Sequence, residues 1–317
     1  MKRRNWNSFA VLPILLTLAA CDPAPSSTDA DVAFQPTNLL ELTASGMRFE
    51  GPETIKSGWT TIRLNNKDDM IHFALAARLP DGISAVQYSD ELGSVFQRGY
   101  DAMMAGDHEL AGEIFGDMPS WATGLTYHGG PGLIEGNAIS QATTFLPPGN
   151  YVIECYIKSG GVFHSASYQQ GVLAMVLPLT VLPENGEMPE PEADVIFTLN
   201  GNGLSLKDGD LKAGTNIIRV NFDTQIRYPS AVGQDVHVFK IDREGSVANA
   251  VTFMDWQTEA GLSVPAPVTF VGGINDVMPA GSHGYFTVDL EPGRYGFIAE
   301  VPDADKKGML LQLDVPG

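Results

Sequence analysis

Apolar and polar positions alternate with a period of two in several parts of the chain. Tyr151, Ile153, Cys155 and Ile157 alternate with Asn150, Val152, Glu154 and Tyr156, and Tyr295, Phe297, Ala299 and Val301 repeat the pattern later. That period turns one set of side chains to a common inward face and predicts β-strands. Pro148-Gly149 and Pro292-Gly293 stand just before the two runs, which predicts a turn at each. Helical spacing occurs around residues 89–115, where Leu92, Val95, Phe96 and Tyr100 recur on one face, with a shorter counterpart around 249–261. Short strands broken by Gly-rich turns predict an all-β chain of antiparallel sandwiches, with a helical insert in the first.

The pattern is written twice. Ile55-Lys56-Ser57-Gly58 followed by Ile62-Arg63-Leu64-Asn65 matches Leu211-Lys212-Ala213-Gly214 followed by Ile218-Arg219-Val220-Asn221. His72 pairs with His237, Gly129-Gly130 with Gly272-Gly273, and Pro148-Gly149-Asn150-Tyr151 with Pro292-Gly293-Arg294-Tyr295. Ala174-Met175-Val176-Leu177 pairs with Gly308-Met309-Leu310-Leu311. The predicted organisation is a signal over residues 1–20, a Pro/Ser-rich tether over 21–34, one sandwich over 35–182, a Glu/Pro-rich linker over 183–193, and a second sandwich over 194–317.

The start of the chain changes the picture. Lys2, Arg3 and Arg4 precede an apolar run that ends in Leu18-Ala19-Ala20-Cys21. The run is too short and too close to the N-terminus for a membrane span and reads as an export signal. Its last four residues resemble a bacterial lipobox, which implies cleavage before Cys21 and lipidation of its thiol, hence palmitate and a stable membrane anchor. Asp22 resembles an inner-membrane retention signal, so the expected location is the periplasmic side of the cell envelope, with the inner membrane favoured. Cleavage would leave 297 residues and move the net charge from −19 to −22. Such a surface repels nucleic acid and attracts cations or a basic protein face, so an envelope protein is the expected partner class. With Cys21 lipidated, Cys155 has no intrachain disulfide partner.

The paired blocks resemble the cupredoxin superfamily, in the form of tandem bacterial cupredoxin-like domains. The resemblance rests on the early Lys-x-Gly strand, the Asn and then His of the next strand, Pro-Gly-x-Tyr opening the Cys strand, and Met opening the last strand. It implies a copper site made by His72, Cys155, His164 and Met175. Two imidazoles and a thiolate make a trigonal copper site with a distant thioether on its axis. The second copy has Ala299 at the Cys position and is expected to bind no copper in this way. The ligand loop, Cys155-x8-His164-x10-Met175, is longer than the compact loops of the family, so a less pre-organised site is expected. Gly160-Gly161 would let that loop bend back.

Each residue also has a plainer reading. Cys155 would serve as a small core hydrophobe, His72 as an inherited sandwich residue, His164 as a surface-loop histidine, and Met175 as core packing, since Met309 persists in the other copy. Asp68-Asp69 and the acidic insert offer oxygen ligands to a hard cation, but without an Asp-x-Asp-x-Asp-Gly run they read as a solvated face. His128 is a remote substitute ligand. No Gly-x-Ser-x-Gly, His-Glu-x-x-His or phosphate-loop motif occurs, so catalysis has no support. The residues and the resemblance therefore predict a non-enzymatic, lipid-anchored binding or interaction module of two cupredoxin-like domains, with copper its one candidate cofactor. The alternative is a copper-binding or electron-transfer protein with its site in the first domain. Donors of Cys155, His72 and His164 within about 4 Å of one another would favour the alternative.

Overall fold

A computed structural model of the protein describes residue 1 and residues 36–166, 171, 173–228, 232–275 and 278–317. The expected signal, lipidated Cys21 and tether lie outside the described residues. Residues from Pro36 to Gly317 form one compact unit. Among the described residues, no helix is long and apolar enough to cross a membrane.

The first sandwich is built from ten strands. They are β1 (Leu39–Ala44), β2 (Phe49–Glu50), β3 (Thr54–Asn66), β4 (Leu75–Arg78), β5 (Thr126–Tyr127), β6 (Ile139–Leu146), β7 (Gly149–Glu154), β8 (Lys158–Ser159), β9 (Val162–Phe163) and β10 (Val176–Asn185). One face runs β2-β1-β3-β6 and the other runs β10-β7-β4-β5, the two joined where β10 pairs parallel with the start of β3, while β8 and β9 form a separate hairpin. β1 lies parallel to β3, with Leu40 opposite Ile62. The second sandwich holds β11 (Val195–Asn200), β12 (Gly203–Asp208), β13 (Gly214–Phe222), β14 (Val236–Lys240), β15 (Phe270–Ile274), β16 (Ser282–Leu290), β17 (Gly293–Ile298) and β18 (Leu310–Val315). Its sheets run β12-β11-β13-β16 and β18-β17-β14-β15. The two halves thus share one strand order, and the chain is two β-sandwiches of the same topology with a helical insert in the first.

Local chemistry explains the repeated Pro-Gly-x-Tyr. The Tyr151 hydroxyl donates to the carbonyl of Pro147 at 2.8 Å, and Tyr295 does the same to Glu291 at 3.2 Å. Each tyrosine ties the turn to the strand it opens while its ring stays in the core. The glycine pairs are explained by close approach. A Cβ on Gly130 would lie 2.0 Å from the Ala74 carbonyl, and one on Gly273 would lie 2.1 Å from that of Val236.

The strict alternation predicted for β7 is not what burial shows. Tyr151, Val152, Ile153 and Glu154 are all buried, because the outer face of this sheet is covered by the helical insert. The insert runs through Ala85–Gln87, Tyr88–Gly93, Ser94–Met104 and His108–Gly116. Val152 packs in a separate apolar cluster with Ala77, Leu79, Tyr88 and Leu92. In the second copy the corresponding helix is Ser246–Phe253.

The sandwiches share a sheet. β16 pairs antiparallel with β6, placing Tyr285 opposite Thr143 and Phe286 opposite Ala142. β10 runs as far as Asn185. Beyond it Met188 is buried, and Glu190 accepts hydrogen bonds from His283 and Tyr285 at 2.6 and 2.5 Å.

Candidate metal centre

Cys155 follows β7 directly and its side chain is fully buried. His72 precedes β4 and is held by paired backbone hydrogen bonds with Ile134 at 2.9 and 3.1 Å. Its Nδ1 lies 3.5 Å from Cys155 Sγ. His164 reaches the same point through a hairpin. β8 and β9 are joined by Gly160 and Gly161, with φ of +59° and +83°. Two successive left-handed residues make the tight turn that a two-residue hairpin needs. The chain then returns His164 to the core at 3% exposure, with Nδ1 3.9 Å from Cys155 Sγ.

One donor atom from each of the three residues lies within 4.8 Å of the others. Thiolate and imidazole bonds of about 2.3 and 2.0 Å, about 110–120° apart at a shared ion, would separate sulfur from nitrogen by about 3.5–3.8 Å. The observed 3.5 and 3.9 Å span that interval. Met175 is fully buried beside them. Its N–H donates to the carbonyl of His164 at 2.9 Å, and its carbonyl accepts from the Cys155 N–H at 3.2 Å.

The other edge of each imidazole is fixed. His72 Nε2 lies 3.1 Å from Asp68 Oδ2. A carboxylate only accepts, so Nε2 carries the proton and the Nδ1 lone pair faces the sulfur. Asp68 also accepts from the N–H groups of Gly46 and Met47. Partial burial opposes its charge, but those donors and His72 hold its pKa below the ordinary value. His164 Nε2 lies 2.8 Å from Ser159 Oγ, and that hydroxyl donates to Met70 Sδ at 3.8 Å. With the hydroxyl hydrogen on Met70, the Ser159 oxygen accepts from Nε2–H, the tautomer that turns the second Nδ1 lone pair toward sulfur. Burial pushes His164 down to about 3, aided by His72, and lowers His72 against the pull of Asp68. Burial pushes the Cys155 thiol up to about 12. Two lone pairs and one thiol face each other with a single S–H proton between them. This is a donor set for one soft cation, with hydrogen bonds behind both imidazoles.

The hairpin that carries His164 is held by the second sandwich. Lys158 is fully buried. Its backbone N–H donates to Leu262 at 2.7 Å and its carbonyl accepts from Val264 at 2.9 Å. Its Nζ donates to the carbonyls of Trp256 and Thr258 at 2.7 and 2.8 Å and lies 4.0 Å from the Tyr100 ring centre. Burial lowers this amine to about 8. Four hydrogen bonds from one residue thus seat the hairpin that carries His164 against the other half of the molecule. No motif marks Lys158, Ser159 or the bond from Asp68 to His72, because each acts through a fold contact.

The register corrects one repeat. Leu75 stands opposite Glu154, and His237 stands opposite Ile298. With Tyr151 aligned on Tyr295, His237 corresponds to Leu75, and the position of His72 is taken by Gln234. Cys155 corresponds to Ala299, since each N–H donates to the carbonyl of Met175 or Met309. His164 corresponds to Ala304, whose carbonyl accepts from Met309 at 2.7 Å. The order Asn-then-His misled the match, because the loop before β14 is longer than that before β4 and each histidine lands at a different register position.

His237 belongs to a second buried cluster with Asp235 and Glu300. Its Nδ1 accepts from the Leu133 N–H of the first sandwich at 3.1 Å, and its Nε2 donates to Asp235 at 2.9 Å. With both nitrogens so used, the ring joins the halves and offers no lone pair to an ion. Tyr156 adds a bond across the same junction, to Glu300 at 3.0 Å. His128 turns away from His72, with its ring nitrogens near the Phe145 carbonyl and Thr126. Asp69 accepts from Asn137.

No family model matches the chain, and no curated protein matches it. Among solved structures, the chain is similar to the dithionite-reduced auracyanin of Roseiflexus castenholzii, at 15% identity over 38% of this chain and 95% of that one, with a TM-score of 0.29. It is similar to the blue copper oxidase of Nitrosomonas europaea at 12% identity over 87% and 85%, with a TM-score of 0.21. A copper-containing nitrite reductase from Thermus scotoductus SA-01 is 11% identical over 87% and 61%, with a TM-score of 0.20. Scores of this size carry no weight in the reading that follows, and the fold assignment rests on strand order and register.

Proposed function

We propose that this protein is a non-enzymatic, lipid-anchored copper protein of the cell envelope, with one centre in the first sandwich. The observation that carries the reading is the convergence of His72 Nδ1, His164 Nδ1 and Cys155 Sγ at a buried point. Met175 would supply the weak fourth contact. Bound copper would supply one-electron chemistry. The chain's own part is to hold the donors still: Asp68 and Ser159 fix the rings, and Lys158 fixes the hairpin. A cage held from both sides limits reorganisation between oxidation states, which suits electron transfer or copper holding. The three donors are too enclosed to present a substrate position, which favours a carrier over an enzyme. The lipobox-like end at Cys21 supports anchoring, and the acidic surface supports a basic protein partner in the envelope.

Titration of the full chain in mild detergent with Cu(II) tests the reading. An intense visible thiolate-to-copper band at one equivalent is expected, absent in Cys155→Ser. Tight copper binding that survives both Cys155→Ser and His72→Ala, or binding without colour, would reject this centre.

A further inference from the structure

The outer face of the shared sheet carries a row of rings. Trp59 of β3 stands opposite Phe145 of β6, with ring centres 5.8 Å apart, and His283 of β16 lies 5.4 Å from the Trp59 ring. Phe145 is 51% exposed, and no other phenylalanine among the described residues is exposed. Trp59 and His283 are half-buried. Glu190, the acid at the rim, bonds His283 and is matched by Arg219 at 3.7 Å. The face is therefore apolar in its middle and close to neutral at its edge.

The chain enters the fold beside this row. The Asn38 amide donates to the Trp59 carbonyl at 3.2 Å and to Thr60 Oγ1 at 2.9 Å, and the Asn38 carbonyl accepts from the Thr61 N–H at 3.0 Å. Only 14 residues separate Cys21 from Pro36. A chain of that length spans about 20 Å as a coil and at most about 50 Å when extended. Acyl chains on Cys21 would hold the Trp59 region within that distance of the bilayer. The candidate copper centre lies at the other end of the sandwich. β6 ends at Leu146, β7 begins at Gly149, and Cys155 follows its last residue, about 20 Å along the strand.

We propose that the face carrying Trp59, Phe145 and His283 docks on the lipid surface that holds the anchor, with the two apolar rings in the headgroup region. This docking rests on the lipid-anchored reading of Cys21 and adds an orientation to it. Rings with an apolar body and a polar edge suit the boundary between acyl chains and water. The net charge of −19 repels anionic headgroups, so a zwitterionic surface is the matching one. Docked in this way, the molecule would turn the end that carries Cys155 away from the membrane, where a protein partner can reach it.

The test reconstitutes the full lipidated chain in phosphatidylcholine vesicles, with plain or brominated acyl chains. Bromine quenches indole emission only at close range. The part of the emission that Trp59→Phe removes should fall about twofold or more in brominated vesicles. Trp121 bonds Glu91 in the insert, which covers the opposite sheet, so Trp121→Phe should leave the quenching unchanged. Phe145→Asp, at an exposed position, should at least halve the quenching of total emission while the protein still floats with the vesicles, and this variant decides the matter where Trp59→Phe fails to fold. A chain that floats with the vesicles but shows no quenching of Trp59 overturns the docking and leaves the anchor standing, as does quenching lost in Trp121→Phe instead. A chain that does not float overturns both.

Discussion

The two sandwiches share strand order but differ in chemistry at three of four equivalent positions. The first has His72, Cys155, His164 and Met175, and the second has Gln234, Ala299, Ala304 and Met309. In the second, Gln234 Nε2 lies 3.6 Å from Met309 Sδ, so the amide turns into the place a metal would take. The backbone bonds that position Cys155, His164 and Met175 recur at Ala299, Ala304 and Met309. The lesson is that the frame for a centre is a property of the fold, whereas the centre needs donors with matching lone pairs. The second sandwich keeps the frame and has another role, since it seats the first one's ligand hairpin through Lys158.

The sharpest way to break this comparison is to exchange the sulfur. Cys155→Ala should abolish the visible copper band. Ala299→Cys should create none, because Gln234 and Ala304 supply no imidazole. Colour from the second variant would show that the frame alone suffices.

Next in size is the seat of the hairpin. Lys158→Met keeps the apolar stem but leaves the Trp256 and Thr258 carbonyls without their buried donor. A loss of about 3–5 kcal/mol of stability is expected, read by denaturant unfolding, with faster release of copper to a chelator. Unchanged release would remove the second sandwich from the account of the centre.

A smaller effect separates the two histidines once taken as equivalents. His237→Leu places the residue found at its true counterpart, Leu75, and strips the Leu133 N–H and Asp235 of a partner. Unfolding should show a loss of about 2–3 kcal/mol, with the copper band intact. His72→Leu should instead remove the band.

The same buried amine also sets a pH dependence. Burial lowers Lys158 from 10.5 to about 8. Between these values the unfolded chain holds a proton that the folded chain has released, so stability rises with pH across that window through this group. The cost of charging it in the fold is fully present below about 8. The stability difference between the parent chain and Lys158→Met should therefore widen in the parent's favour from about pH 8 to 10.5. A flat difference would mean that the amine titrates normally.

Much of this was legible in the chain. The period-two runs, the Pro-Gly-x-Tyr turns and the doubled blocks specify an all-β, duplicated architecture, because local turns and alternating faces repeat in the sequence itself. Helical spacing around 89–115 marked the insert. The residues that meet at the candidate centre were named from family-like positions, but their convergence was not readable. His72 and Cys155 are 83 positions apart, and only the pairing of β4 with β7 brings them near one another. The false match of His72 with His237 has the same origin, since loop length hides register.

By itself the sequence determined that two copies of a sandwich would form and that a single core thiol would lie in the first. These follow from local periodicity and from counting residues. Tertiary structure alone decided that two imidazoles turn their Nδ1 atoms toward that thiol, that Lys158 crosses to the other half, and that Trp59, Phe145 and His283 meet on one face. Such facts depend on distant strands coming into register, and no local spacing encodes that register.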